Sequence, residues 1–240
     1  MSLRSNPIVI RLRSIGRTLG INPLIARVIG DKTYEARFDE AFLAEIRDGD
    51  CVWDVGANRG IYTESIAGRV GTSGKVVAFE PSPANFPALK ARCGARGNVQ
   101  FMQMALGNSE GVARMALGAD DLGATSRIMT SEAPAAASAS DAGLVEVPIR
   151  AGASVAASGQ APAPQVVKID VEGHELNCLL GLEPLLRRDG IRVLGIEVHF
   201  GLLSARGEPD TPRRIESMLS KAGYTVRWVD ASHIVATRAA

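Results

Sequence analysis

Residues 51–81 constrain this chain more than any other stretch. Cys51-Val52-Trp53-Asp54-Val55 is followed by Gly56-Ala57-Asn58-Arg59-Gly60-Ile61-Tyr62-Thr63 and then by Lys75-Val76-Val77-Ala78-Phe79-Glu80-Pro81. The order is an apolar strand, a tight glycine turn, a helix, and a second apolar strand ending on a lone carboxylate. Apolar strands joined through helices build a parallel α/β sheet. Gly56 and Gly60 allow a sharp turn and let a ligand approach bare main chain. Glu80 lies twenty residues after Gly60, where open α/β sheets set an acid to hold a ribose diol. Turn and acid together predict a nucleoside site.

The charge of the turn selects the nucleoside. A dinucleotide fingerprint is G-x-G-x-x-G, because a pyrophosphate needs close main-chain approach and a helix N-terminus. Here the pattern is Asp54-x-Gly56-x-Asn58-x-Gly60, with an acid at the strand end. That acid repels phosphate and suits a cation. S-adenosylmethionine offers an ammonium, a sulfonium and a ribose without phosphate, so charge favours it over NAD or ATP. The alternative is a purely structural strand-turn-helix with a surface Glu80.

The chain's 240 residues are 46% hydrophobic and 22% charged, enough for one large α/β domain without disulfide or metal staples. A net charge of +1 supplies no long-range field for nucleic acid, and a nucleic-acid partner is not expected. Cys51, Cys93 and Cys178 match no zinc spacing, and Cys51 and Cys178, in apolar contexts, read as buried free thiols of a reducing, cytoplasmic compartment. No apolar run reaches membrane-spanning length, so no stable membrane insertion is expected. Arg4, Arg11, Arg13 and Arg17 punctuate Ile8 to Ile15 as in a basic amphipathic helix, read here as a lid over the substrate rather than a membrane-surface segment.

Residues 1–48 therefore read as an N-terminal helical cap, including Leu24 to Ile29 after Asn22-Pro23 and Phe38 to Ile46 at helical spacing. Residues 49–240 read as the main domain. Its strands are expected at Cys51–Val55, Val76–Phe79, Asn98–Met104, Val166–Asp170 and Ile191–His199. Ala105-Leu106-Gly107-Asn108 is expected as the loop after the third. Val112–Leu117 and Leu144–Ile149 read as extra strands. Residues 131–165 are otherwise rich in Ala, Ser, Pro and Gly and read as a mobile loop region. Tyr224–Val229 and Ser232–Thr237 read as a terminal hairpin. The expected fold is α/β and Rossmann-like, a class I methyltransferase fold with a seven-stranded, mostly parallel sheet and a C-terminal antiparallel hairpin.

Four motifs then carry a resemblance. Val52-Trp53-Asp54-Val55-Gly56-Ala57-Asn58-Arg59-Gly60-Ile61-Tyr62-Thr63, Phe79-Glu80-Pro81, Ala105-Leu106-Gly107 and Lys168-Ile169-Asp170-Val171-Glu172-Gly173-His174-Glu175 resemble, in order, those of the FkbM family of S-adenosylmethionine-dependent methyltransferases. They cover roughly residues 35–200. The resemblance implies O-methylation of a sugar hydroxyl or a hydroxyl on a secondary metabolite, a C-terminal reverse hairpin and a variable N-terminal cap. One departure stands out. The family usually carries a Leu-Asp-Asp-like run after its Val-x-Val-Pro strand, whereas this chain reads Ala151-Gly152-Ala153-Ser154-Val155-Ala156.

Ligands of open α/β sheets bind outside the carboxyl ends of the strands. Asp54, Gly56, Asn58 and Gly60 are assigned to the methionine half of the cofactor, with helix capping as the alternative for Asp54. Glu80 is assigned to the ribose hydroxyls, and main chain at Ala105 and Leu106 to adenine. A sugar hydroxyl is a weak acid, so a base must take its proton or a metal must lower its pKa. The candidates are Asp170, Glu172, His174, Glu197 and His199. His199 is the expected base, and Asp170 could orient the acceptor, steady the sulfonium or ligate a divalent cation with Glu197; carboxylates plus imidazole could hold Mg or Mn. His174 could instead face solvent. Lys168 faces the rim or pairs with an acid such as Glu197. Nothing demands a metal. The expected function is O-methyl transfer to a saccharide or small-molecule acceptor. Transfer to nitrogen or carbon, a non-catalytic cofactor-binding module and a nicotinamide dehydrogenase are the rivals.

Overall fold

The computed structural model describes residues 32–117, 126–129, 143–187 and 190–238. Strands follow in the order β1 (Cys51–Val55), β2 (Lys75–Phe79), β3 (Val99–Met102), β4 (Ala105–Gly107), β5 (Gly111–Ala116), β6 (Arg127–Ile128), β7 (Leu144–Ala151), β8 (Val166–Ile169), β9 (Val193–Glu197), β10 (Thr225–Trp228) and β11 (His233–Thr237). The helices are α1 (Lys32–Leu43), α2 (Ile61–Arg69), α3 (Phe86–Cys93), α4 (Gly152–Ala157), α5 (Glu175–Leu186), α6 (Phe200–Ala205) and α7 (Thr211–Lys221).

Seven strands form one sheet in the order β10-β11-β9-β8-β1-β2-β3. β1 pairs parallel with both β2 and β8, β2 with β3, and β8 with β9. β11 runs antiparallel to β9 and to β10, which is the terminal hairpin. The chain leaves β1 toward β2 on one side and returns through β8 on the other. That reversal opens a crevice at the carboxyl ends of the strands.

Every residue of β1 and β8 is buried, as central parallel strands require. Alternation sends their side chains to two cores. Val52, Val76, Val166 and Val193 pack with Phe38, Phe42 and Ile66 on one face, while Trp53, Val77, Val167 and Leu194 pack with Leu179, Leu182, Ile215 and Leu219 on the other. In α7 the buried Thr211, Ile215 and Leu219 recur every fourth residue behind Pro212, the stripe of a helix with one apolar face.

α1, the described part of the segment expected as a cap, packs on the sheet. Phe38 and Phe42 are fully buried against the sheet. A Cβ on Gly195 in β9 would come within 2.5 Å of Phe42 and 2.9 Å of Phe38, so that glycine is the socket for both rings. Burying one such ring contributes about 1.5–3 kcal/mol, and α1 is part of the domain core. The Arg4–Arg17 segment and Leu24–Ile29 lie outside the described residues.

Two readings change. Ala105–Gly107 is a strand rather than a loop. It pairs with β7 in a second sheet ordered β4-β7-β5-β6, in which the two extra strands pair antiparallel. Residues 131–142 of the expected loop region lie outside the described residues, but 143–165 hold β7, α4 and a pinned segment. Trp53 Nε1 donates to Pro162 O at 2.9 Å, and Gln165 Oε1 accepts from Cys51 N at 2.6 Å. The small residues there serve close packing. A Cβ on Gly152 would stand 2.5 Å from Leu182, and one on Gly181 in α5 would stand 1.8 Å from Gly107 O. Cys51, Cys93 and Cys178 are buried and free.

Candidate active site

Strand ends from both sheets open on one cleft of about 240 Å³. Its lining includes Gly56 and Asn58 after β1, Glu80 after β2, Ala105 and Leu106 in β4, Asp170, Glu172 and His174 after β8, and Glu197 and His199 at the end of β9. Asp54 and Gly60 are not part of that lining, so the structure brings together all but two of the residues singled out in the sequence.

Gly56 is irreplaceable at its position. Its φ is 83°, and a Cβ would lie 1.8 Å from the carbonyl oxygen of Asp170. Among the described residues, two that are not glycine, Asn58 (φ 50°) and Glu172 (φ 49°), also adopt the left-handed region, each costing roughly 1 kcal/mol or more. Both line the cleft, where such conformations aim side chains and main chain at a ligand.

Glu80 is 4% exposed. Its Oε2 accepts from Asn58 N at 2.7 Å and its Oε1 from Ser82 N at 2.8 Å, so the carboxylate is held rigidly with a lone pair of each oxygen still available. Burial pushes its carboxyl up to about 7, against the lowering effect of the two backbone N–H groups.

Asp54 has a different setting from the one expected. It is fully buried, accepts from Thr63 Oγ1 at 2.6 Å, and lies 3.8 Å from Lys168 Nζ. Asp54 and Lys168 are register partners across β1 and β8, which brings the buried ammonium to this acid. Lys168 also lies 3.2 Å from Asp170 and 4.5 Å over the Tyr62 ring. Burial would lower the ammonium's pKa, but Asp170 and Asp54 hold it above its usual value. Pairing with Asp54 and Asp170, rather than with Glu197, is a contact that sequence spacing left open.

His199 sits among carboxylates. Its Nδ1 is 2.7 Å from Glu175 Oε1, and its Nε2 is 3.4 Å from Glu172 and 3.8 Å from Asp170. Burial would depress the imidazole, yet Glu172 and Glu175 outweigh it and raise it to about 11. This surrounding favours the protonated ring. Burial would raise Asp170, but Lys168 and His199 hold its carboxyl below the ordinary range. Glu197 is 3.5 Å from His233 Nε2, and His233 also contacts Asp230 at 2.9 Å.

His174 is buried rather than solvent-facing, at 5% exposure. Neither ring nitrogen has a hydrogen-bond partner among the described residues. Burial, and secondarily Arg206, push its pKa down to about 4, leaving a neutral ring. A Cβ on Gly107 would lie 3.1 Å from its Nε2, which puts the ring beside the end of β4. Glu175, which grips His199, had no sequence-derived role. Its only signal was its place in the run Asp170 to Glu175.

The sheet order, the reversed last strand and the cleft at the switch point define the Rossmann-like class I methyltransferase fold. Residues 54–226 match the methyltransferase FkbM domain family, and the chain belongs to that family. It is 30% identical over 181 residues to the hexuronic acid methyltransferase AglP of Haloferax volcanii, covering 75% of this chain and 65% of that protein's length. A Clostridium thermocellum structure assigned as an rRNA methylase aligns over 85% of this chain and 93% of its own, with a TM-score of 0.50 and 8% identity. The precorrin-6y C5,15-methyltransferase of Geobacter metallireducens covers 85% and 88%, with a TM-score of 0.48 and 15% identity. At 8% identity the likeness to the Clostridium thermocellum structure is one of fold alone.

Proposed function

We propose that this chain transfers a methyl group from S-adenosylmethionine to a hydroxyl of a saccharide, with hexuronic acids as the favoured acceptor class. The observation that carries the reading is the order of groups along one cleft. From β2 toward β9 the strand order sets Glu80, then the Gly56–Asn58 turn after β1, Asp170 after β8, and Glu197 and His199 at the end of β9, and all of them line one cleft together with β4 and His174. In this reading that is the order ribose, methionine and acceptor, with adenine toward β4. The acceptor class comes from the similarity to AglP.

Each group has a task in this reading. Glu80 accepts the ribose hydroxyls, its orientation already fixed by Asn58 and Ser82. His174 offers one donor and one acceptor to the adenine edge. The Gly56 turn presents bare backbone to the methionine half, and Asp54 supports that turn from below through Thr63 and Lys168. The bound cofactor supplies an electrophilic methyl on a sulfonium. Asp170, kept ionised by Lys168 and His199, accepts the hydrogen bond of the attacking hydroxyl and takes its proton as the new bond forms. Much of the acceleration comes from alignment.

The test is incubation with methyl-labelled S-adenosylmethionine and a panel of glucuronic and galacturonic acid glycosides, with products read by mass and carbon NMR. A methyl carbon attached to a sugar oxygen supports the reading. A methyl on nitrogen or carbon, or cofactor binding without transfer to any hydroxyl, overturns it.

A further inference from the structure

We infer that Asp170, Glu172 and His199 form a binding site for a divalent cation of the Mn or Mg class at the acceptor end of the cleft. One ligand atom from each, two carboxylate oxygens and an imidazole nitrogen, lie within 4.8 Å of one another. That separation suits oxygen and nitrogen donors around a common ion, and the mixed set favours Mn over Ca. Three protein ligands leave positions open for water or for acceptor hydroxyls.

Three independent features point the same way. First, His199 is oriented as a metal-binding histidine is. Its Nδ1 is engaged by the buried Glu175 at 2.7 Å, which turns Nε2 toward Asp170 and Glu172, the outer-carboxylate arrangement that fixes such ligands. Second, charge around the site is unbalanced. Three carboxylates, Asp170, Glu172 and Glu175, face the single imidazole of His199 within 3.8 Å. Third, Oε2 of the fully buried Glu175, whose other oxygen meets His199, has no hydrogen-bond partner among the described residues. Buried polar atoms in that state mark the place of a missing ligand.

The Glu172 turn is built to serve this site. Glu172 takes φ 49° and Gly173 φ 87°, and Arg206 clamps the turn by donating to Gly173 O at 2.9 Å. The carboxylate is thereby brought back over His199 instead of following β8 outward. The site is distinct from the Asp170 and Glu197 pair expected from sequence, because Glu197 is engaged by His233. An ion here would hold the acceptor through its hydroxyls and, for a hexuronic acid, offset repulsion between the sugar carboxylate and the acidic wall. That role rests on the proposed function, whereas the site itself does not.

The test is titration of the full chain with Mn, read by loss of the free-ion EPR signal, without cofactor or acceptor. One ion per chain is expected at micromolar concentration. Glu172→Gln, an isosteric change at a partly exposed side chain, and His199→Ala should each weaken it at least tenfold, while Glu183→Gln on the distant end of α5 should not. S-adenosylhomocysteine affinity, measured in parallel, reports an intact fold. Wild-type binding only at millimolar Mn, or equal affinity in all variants, overturns the site even where methyl transfer is intact. Methyl transfer to nitrogen or carbon overturns the proposed function while leaving the ion titration unaffected.

Discussion

Asp54 and Lys168 face each other across the central strand pair, with Lys168 Nζ 3.8 Å from Asp54 Oδ1 and both side chains essentially buried. The carboxylate at the end of the first strand, assigned from sequence to the methionine half of a ligand, thus also stands beside a buried lysine.

That pairing predicts a stability effect. Asp54→Ala removes one of the two acids beside a buried ammonium and leaves Thr63 without its acceptor. A loss of about 3 kcal/mol in urea unfolding is expected, as for breaking a buried pair. A stability change below about 1 kcal/mol with a large loss of cofactor affinity would return Asp54 to the ligand.

Glu80 predicts a pH dependence with a defined sign. Its carboxyl is raised from 4.5 to about 7 in the ligand-free fold. The associated stability is fully present below about 4.5 and is lost as pH rises through about 7. Glu80→Gln keeps no charge but loses one acceptor for the Asn58 and Ser82 N–H groups, so its Tm should lie below wild type at pH 4 and the deficit should shrink or reverse by pH 8. Cofactor affinity should rise through pH 7 in the wild type as the carboxylate ionises. Glu80→Ala should weaken that affinity by about 1.5–3 kcal/mol, measured by calorimetry at pH 8.

The two turn glycines make a matched pair. Gly56→Ala places a methyl against the Asp170 carbonyl, whereas Gly159 has φ 72° and open space around it. Gly159→Ala should cost about 1–2 kcal/mol from backbone conformation alone. Gly56→Ala should cost clearly more and abolish cofactor binding, which thermal unfolding with and without S-adenosylhomocysteine will separate.

His199 predicts a split between binding and turnover. His199→Ala should lower kcat by ten-fold or more while cofactor Kd changes less than two-fold, because the ring stands at the acceptor end and orders Asp170 and Glu172. Equal losses in both would place it in the cofactor pocket or in folding.

The α/β fold was legible because its signals are local. Val52 to Val55, Val76 to Phe79 and Val166 to Ile169 are continuous apolar runs, and each proved a buried strand. Gly56 and Glu80 carried the cleft for the same reason, since turn chemistry and a strand-end acid are written within a few residues. Other features were set by contacts distant in sequence. The pairing of Ala105 with Ile149 made a strand of an apparent loop. The helix at Gly152–Ala157 was hidden in a run of small residues because its packing against Leu182 is a tertiary demand. His199 was read as a base from its ordinary pKa, and the three carboxylates that surround it come from positions no spacing could group in advance. The role of Glu175 emerged only with the turn that folds it back.

The most direct measurement is calorimetric titration of S-adenosylmethionine and S-adenosylhomocysteine into the wild type and Glu80→Gln, with NAD as the comparison ligand. The account predicts micromolar binding of the adenosyl pair to the wild type, at least ten-fold weaker binding to Glu80→Gln, and no binding of NAD. Binding of NAD with affinity equal to the adenosyl pair, or wild-type affinity in Glu80→Gln, would contradict it.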